Sequence, residues 1–181
     1  MGSHFVAVYV CDLEILGHYI GVSESSKVQD ILERLRPRCH DEGQMKALDK
    51  VVRKIYKADP ETGESADGHD LIRAFRLICE EHLGEQESLE VYEDPDETPT
   101  LWKFIFEGEA PFEIPLSPYG NPAVSWHSPK HATAILDLFK RELEEKRFKK
   151  GFLGEEELKS IVQKLSSAQS GNQGALVFYE Q

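Results

Sequence analysis

The chain has 181 residues, 40% of them hydrophobic and 30% charged, and carries a net charge of −12. That length and balance describe a folded globular protein with a sizeable core and exclude a disordered chain. No apolar run approaches the ~18 residues a membrane-spanning helix needs, and the acidic balance disfavours nucleic acid as a partner.

Residues 5–11 are apolar on both alternating faces, the pattern of a strand covered on both sides. Ser23 or Ser25 can cap a helix that Pro37 stops near residue 36. Met45, Leu48, Val51, Val52 and Ile55 then recur at helical spacing, with Lys46, Lys50, Arg53, Lys54 and Lys57 on the opposite face. Residues 58–68 read as a flexible polar loop. Asp67 precedes a helix whose stripe includes Leu71, Phe75, Ile78, Cys79 and Leu83, closed by Gly84 just past its end.

The second half opens as sheet. Leu89 and Val91 alternate with Glu90 and Tyr92, and residues 101–107 place Trp102, Phe104 and Phe106 on one face, Leu101 and Ile105 on the other. These two runs are predicted to form a hairpin with a long loop. Pro111, Pro115, Pro118 and Pro122 make the next stretch a stiff, extended path. Ser128 caps a helix with Pro129 in its first position and a stripe of Ala132, Ile135, Leu136, Phe139 and Leu143, ended by Gly151. A last helix over 155–165 buries Leu158, Ile161, Val162 and Leu165. A flexible link, 166–174, leads to a closing apolar strand, ALVFY. The first and last strands are expected to be sheet neighbours. The whole, residues 1–181, reads as one α+β domain with a mixed or antiparallel sheet and about five helices.

The motifs specify no reaction. There is no phosphate-binding glycine loop, nucleophile elbow or zinc signature. The three cysteines form no CxxC pair; Cys11 and Cys79 sit in apolar runs as small core residues, which suits a reducing cytoplasmic setting. His127 and His131 have i, i+4 spacing, but Ser128 and Pro129 start the helix between them. His127 therefore falls outside the helix, their shared face is expected to fail, and no metal site or cofactor is expected. His40-Asp41-Glu42 and Asp67-Gly68-His69-Asp70 lie at helix starts, where capping alone accounts for carboxylates. The basic face from Lys46 to Lys57 lacks interleaved aromatics for base stacking.

Charge is segregated. Residues 34–57 hold eight Lys/Arg against three Asp/Glu, whereas residues 85–113 hold ten Asp/Glu against Lys103 alone. A cationic partner suits the acidic section. The leading expectation is thus a non-enzymatic cytoplasmic binding protein, of immunity, inhibitor or regulatory type. Glu90, Glu93, Asp94, Asp96 and Glu97 would engage a basic protein beside the proline-stiffened segment. The alternative is a small-ligand or enzyme site for an anion at the helix start, lined by Tyr119, Trp126, His127, Lys130 and His131.

Several features in order carry a resemblance: the apolar first strand followed by Asp12-Leu13-Glu14, GHDLIRAFRLICEEHLGE, PFEIPLSPYGNPAVSW leading into SPKH, and ALVFYEQ. Together they resemble a family of small bacterial cytoplasmic domains of unknown function akin to the YfbM-like group. The resemblance implies an α+β fold and supplies no activity.

Overall fold

The structure is a computed structural model. It describes residues 4–17, 29–30, 32–34, 36–38, 41–43, 45–46, 49, 52–53, 75–76, 78–80, 82–84, 89–91, 99–109, 111, 123–145 and 154–180. The chain divides into two compact units: Met1–Asp12 with Gln86–Pro111 and Ser117–Gln181, and Leu13–Glu85 with Phe112–Leu116.

The first unit is α+β. Its strands are β1 (His4–Cys11), β2 (Leu89–Val91), β3 (Ala123–His127) and β4 (Gly174–Glu180). They form one antiparallel sheet in the order β2-β1-β4-β3. As expected, the first and last strands are neighbours, running from Phe5 opposite Glu180 to Cys11 opposite Gly174. Alternation then sorts the side chains. Val6, Val8, Ala123, Ala175, Val177 and Tyr179 share one face and join the main core cluster. Ala7, Tyr9, Cys11, Val124, Trp126, Leu176 and Phe178 take the other face and are buried too. Burial on both faces explains why these strands read as unbroken apolar runs. It also pushes the Cys11 thiol up to about 12, with Asp12 adding to the effect, so Cys11 is an inert core residue.

Three helices supply the rest of that cluster: α2 (Pro99–Phe106), α3 (Pro129–Glu144) and α4 (Glu155–Ser170), numbered after α1 (Leu13–Gly17) of the second unit. The strand predicted over 101–107 is therefore a helix. Its run LWKFIF fits a period of 2 and a period of 3.6 equally, and Pro99 at the helix start favours the helix. Leu101, Phe104 and Ile105, at i, i+3 and i+4, are buried, while Trp102 and Lys103 face outward. Helix α3 begins as predicted, with Ser128 as cap and Pro129 next, and buries Ala132, Ile135, Leu136 and Phe139. It runs to Glu144, and residues 146–153, including the Gly151 stop, lie outside the described residues.

The link expected over 166–174 is mostly helix, because Ala168 continues the buried stripe of Leu158, Ile161 and Leu165. Gly171 ends the helix, Asn172 takes a left-handed φ of 50°, and Gln173 N–H closes on Ala168 at 2.8 Å. Asparagine tolerates that conformation better than most side chains.

In the second unit the described residues are helical or turn. They include α1 (Leu13–Gly17), a 3-10 turn at Arg36–Arg38 around Pro37, and helical positions on which Leu32, Val52, Phe75, Ile78 and Cys79 are buried. Gly84 ends its helix as predicted: φ is +84° and its N–H bonds the Glu80 carbonyl at 2.9 Å. On the expected basic face, Arg53 pairs with Asp49 at 2.9 Å, one turn back on its own helix. Cys39, Lys50, Lys54, Lys57 and the loop 58–68 lie outside the described residues.

Candidate functional site

The densest polar construction in the described core lies where β3 turns into α3. Ser125 and His127 alternate onto the helix-covered face of β3, and neither exposes any surface. They meet the C-terminal end of α2, where the last carbonyls lack partners within the helix. Lys103 O accepts from Glu107 N–H at 3.0 Å, Phe104 O from the His127 ring at 2.7 Å, and Ile105 O from the Ser125 hydroxyl at 2.8 Å. Two β3 side chains thus cap α2 from outside.

The chain after α2 is drawn in as well: Glu109 and Trp126 exchange backbone hydrogen bonds of 2.9 and 2.8 Å. Gly108 permits this, since a Cβ there would sit 2.7 Å from the Ser125 Cβ. At the other end of α2, the buried Thr100 hydroxyl donates to the Glu142 carboxylate on α3.

His127 then reaches a third element. With Nε2–H donating to Phe104, its Nδ1 carries the lone pair, and that atom lies 3.2 Å from Nδ1 of His131. As expected, the two rings share no helical face, but they meet by another route. His127 is outside the helix, yet the sharp corner at Ser128 folds the first turn of α3 back over the strand end. Ser128 fixes that corner, accepting from His131 N–H at 3.4 Å while its carbonyl accepts from Ala132 N–H at 2.8 Å.

The His127 ring lies nearly parallel to Phe104, 5.4 Å between centroids at 26°, and tilts 60° to His131 at 4.7 Å. Burial lowers its pKa to about 4; the Phe104 carbonyl opposes that shift and His131 adds to it. His127 is consequently neutral at pH 7. His131 is half-buried.

Of the other residues expected at the helix start, Lys130 is exposed and Trp126 is on the opposite sheet face, only 7% exposed. The indole rests on Gly174, where a Cβ would lie 2.2 Å from ring carbon Cη2 and 2.5 Å from the His127 carbonyl oxygen. Trp126 is a core residue and not a wall for a ligand. Gly174→Ala should therefore cost about 1–3 kcal/mol of stability by overpacking, read as a lower urea midpoint with an unchanged slope. Tyr119, Glu93, Asp94, Asp96 and Glu97 lie outside the described residues, and Glu90 is seen only as a β2 backbone position opposite Phe5.

The model of DUF7691, a domain of unknown function, matches residues 2–180. The chain belongs to the DUF7691 family. No curated protein and no solved structure matches it. In this DUF7691 chain no helix among the described residues is long and apolar enough to cross a membrane, and none of them form a group of three or more His, Cys, Asp or Glu placed for a metal.

Two features of the structure escape the sequence reading. Ser125 is hidden because 123–127 continues the proline-punctuated stretch, although AVSWH is a short strand whose inward positions are 125 and 127. Strand periodicity puts Trp102 on one face with Phe104 and Phe106. On the helix those two phenylalanines are buried, and Trp102 is left 40% exposed against Phe106 at 4.2 Å.

Proposed function

We propose that this DUF7691 protein is a non-enzymatic binding protein of the bacterial cytoplasm. Its acidic segment engages a basic protein partner, in an immunity, inhibitor or regulatory role, and a kinship with the YfbM-like group is part of this reading. The observation that carries it is Trp102, a large aromatic left 40% exposed inside a segment with ten acids and one lysine. Exposed Glu107 and Glu109 follow it on the same segment. An aromatic anchor in a segment rich in carboxylates suits a cationic surface with an apolar recess: the charges speed encounter and the indole holds the complex. Helix α2 is fixed at both ends, by Thr100–Glu142 and by the Ser125 and His127 caps, so little order is lost on binding. The anion-site alternative draws less support, because Trp126 and His127 are withdrawn into the core and Ser128 occupies the cap.

The test is capture of the partner on immobilised protein with elution by rising salt, then stopped-flow association. Trp102→Ala should weaken binding by about 2 kcal/mol, roughly thirtyfold, mainly in dissociation. Reversing Glu93, Asp94, Asp96 and Glu97 should slow association severalfold. Reversing Glu155 and Glu156, exposed on α4, should do much less. Equal effects from both sets would show only a general field and would overturn the reading.

A further inference from the structure

We propose that Nδ1 of His127 and Nδ1 of His131 form a two-imidazole site for a late first-row divalent metal ion of the Zn2+ type. The two atoms lie 3.2 Å apart. Two nitrogens bound to one ion at ~2.0–2.1 Å lie about 3.3 Å apart in tetrahedral geometry and about 2.9 Å apart at a right angle. The observed separation falls between these, so neither ring has to move far to share an ion.

The surroundings of His127 are those of a metal ligand. A ligating histidine characteristically donates its other ring N–H to a carboxylate or a backbone carbonyl, which fixes the tautomer and aims the free nitrogen. His127 Nε2–H does this to Phe104 O at 2.7 Å, inside a core that holds the ring against Phe104 and leaves it fully buried. Its aim at His131 is set by the fold before any ion arrives. Imidazole nitrogen is also a donor that zinc, copper and nickel accept well.

Proton balance is simple. Two neutral rings cannot face each other with both Nδ1 lone pairs, so without metal one proton sits between them, on His131. When the ion enters, that proton leaves Nδ1, and His131, a half-buried residue, takes one from solvent at Nε2. No net proton is released and no redox partner is required. Among the described residues no third His, Cys, Asp or Glu joins the pair, so the remaining positions on the ion fall to water or an outside donor. Exposed Lys130 and the positive end of α3 work against a cation, which sets the affinity below that of a closed four-ligand site.

Calorimetric titration with Zn2+ at pH 7, with Co2+ absorption as a second probe, tests the site. One equivalent should bind saturably, and His131→Ala and His131→Gln should each abolish that binding while the fold is kept. Histidine 15N–1H correlation spectra of the unmutated protein supply an independent readout. Without metal, His127 should be the Nε2–H tautomer and His131 should carry its proton at Nδ1. With Zn2+ both should be Nε2–H, with both Nδ1 resonances shifted. Zn2+ binding that survives His131→Ala, or a His131 Nδ1–H that persists in excess Zn2+, would overturn the proposal.

Discussion

Phe139→Ala should lower the unfolding free energy by about 3–5 kcal/mol, a large share of the 5–15 kcal/mol a folded domain has to lose. Phe139 is fully buried on α3 and meets Phe104 of α2 edge-on, 5.5 Å between centroids at 90°. Truncation removes apolar contact and opens a cavity that three helices and a sheet cannot easily collapse. The damage should spread, because Phe104 also stacks on His127 and supplies the carbonyl that holds it. Urea unfolding followed by far-UV circular dichroism reads the loss as a lower midpoint. Phe139→Leu, which keeps most of the volume, should lose much less. A loss under about 1 kcal/mol for the alanine variant would mean that α2 and α3 do not share this core.

The metal-free protein should lose about 3 kcal/mol of stability between pH 6.5 and pH 4 through His127 alone. In the unfolded chain this histidine takes up its proton near its ordinary 6.5, whereas in the folded protein burial defers that to about 4. Between those values the unfolded chain binds the extra proton, so acid favours unfolding. The contribution is complete above pH 6.5, shrinks as pH falls, and is gone below about 4. Carboxylates titrate over part of the same range, so the readout is the difference between wild type and His127→Gln, each measured in chelator. The variant should start less stable, with the Phe104 carbonyl disturbed, and should show a shallower acid slope. Parallel slopes would place the His127 ring in contact with water.

What the sequence revealed depended on how local the cause was. The terminal strands announce themselves because burial on both faces demands unbroken apolar runs, and ALVFY has no polar residue to suggest otherwise. Helix α3 was legible down to its cap, since Ser128 and Pro129 act on their own turn. Gly84 was legible for the same reason. Helix α2 was not, because LWKFIF is apolar at nearly every position and only its neighbours decide which face is buried. The end of α4 was lost among serines; Ala168, small and apolar, was the sign that the stripe went on. The histidine pair failed in a more instructive way. Spacing rules assume a single element, whereas His127 and His131 meet across a strand-to-helix corner, and the bond that aims His127 comes from Phe104, 23 residues away.

The pairing of β1 with β4 over seven residue positions has a consequence for how the chain is made. On the ribosome β1 is made well before β4, so the whole stretch between Cys11 and Gly174 is synthesised before the two can join. Until then β1 offers a hydrophobic, unpaired flank to any other nascent strand. The central pairing of the sheet waits for β4 to emerge, and aggregation when β4 is shortened follows from the topology itself.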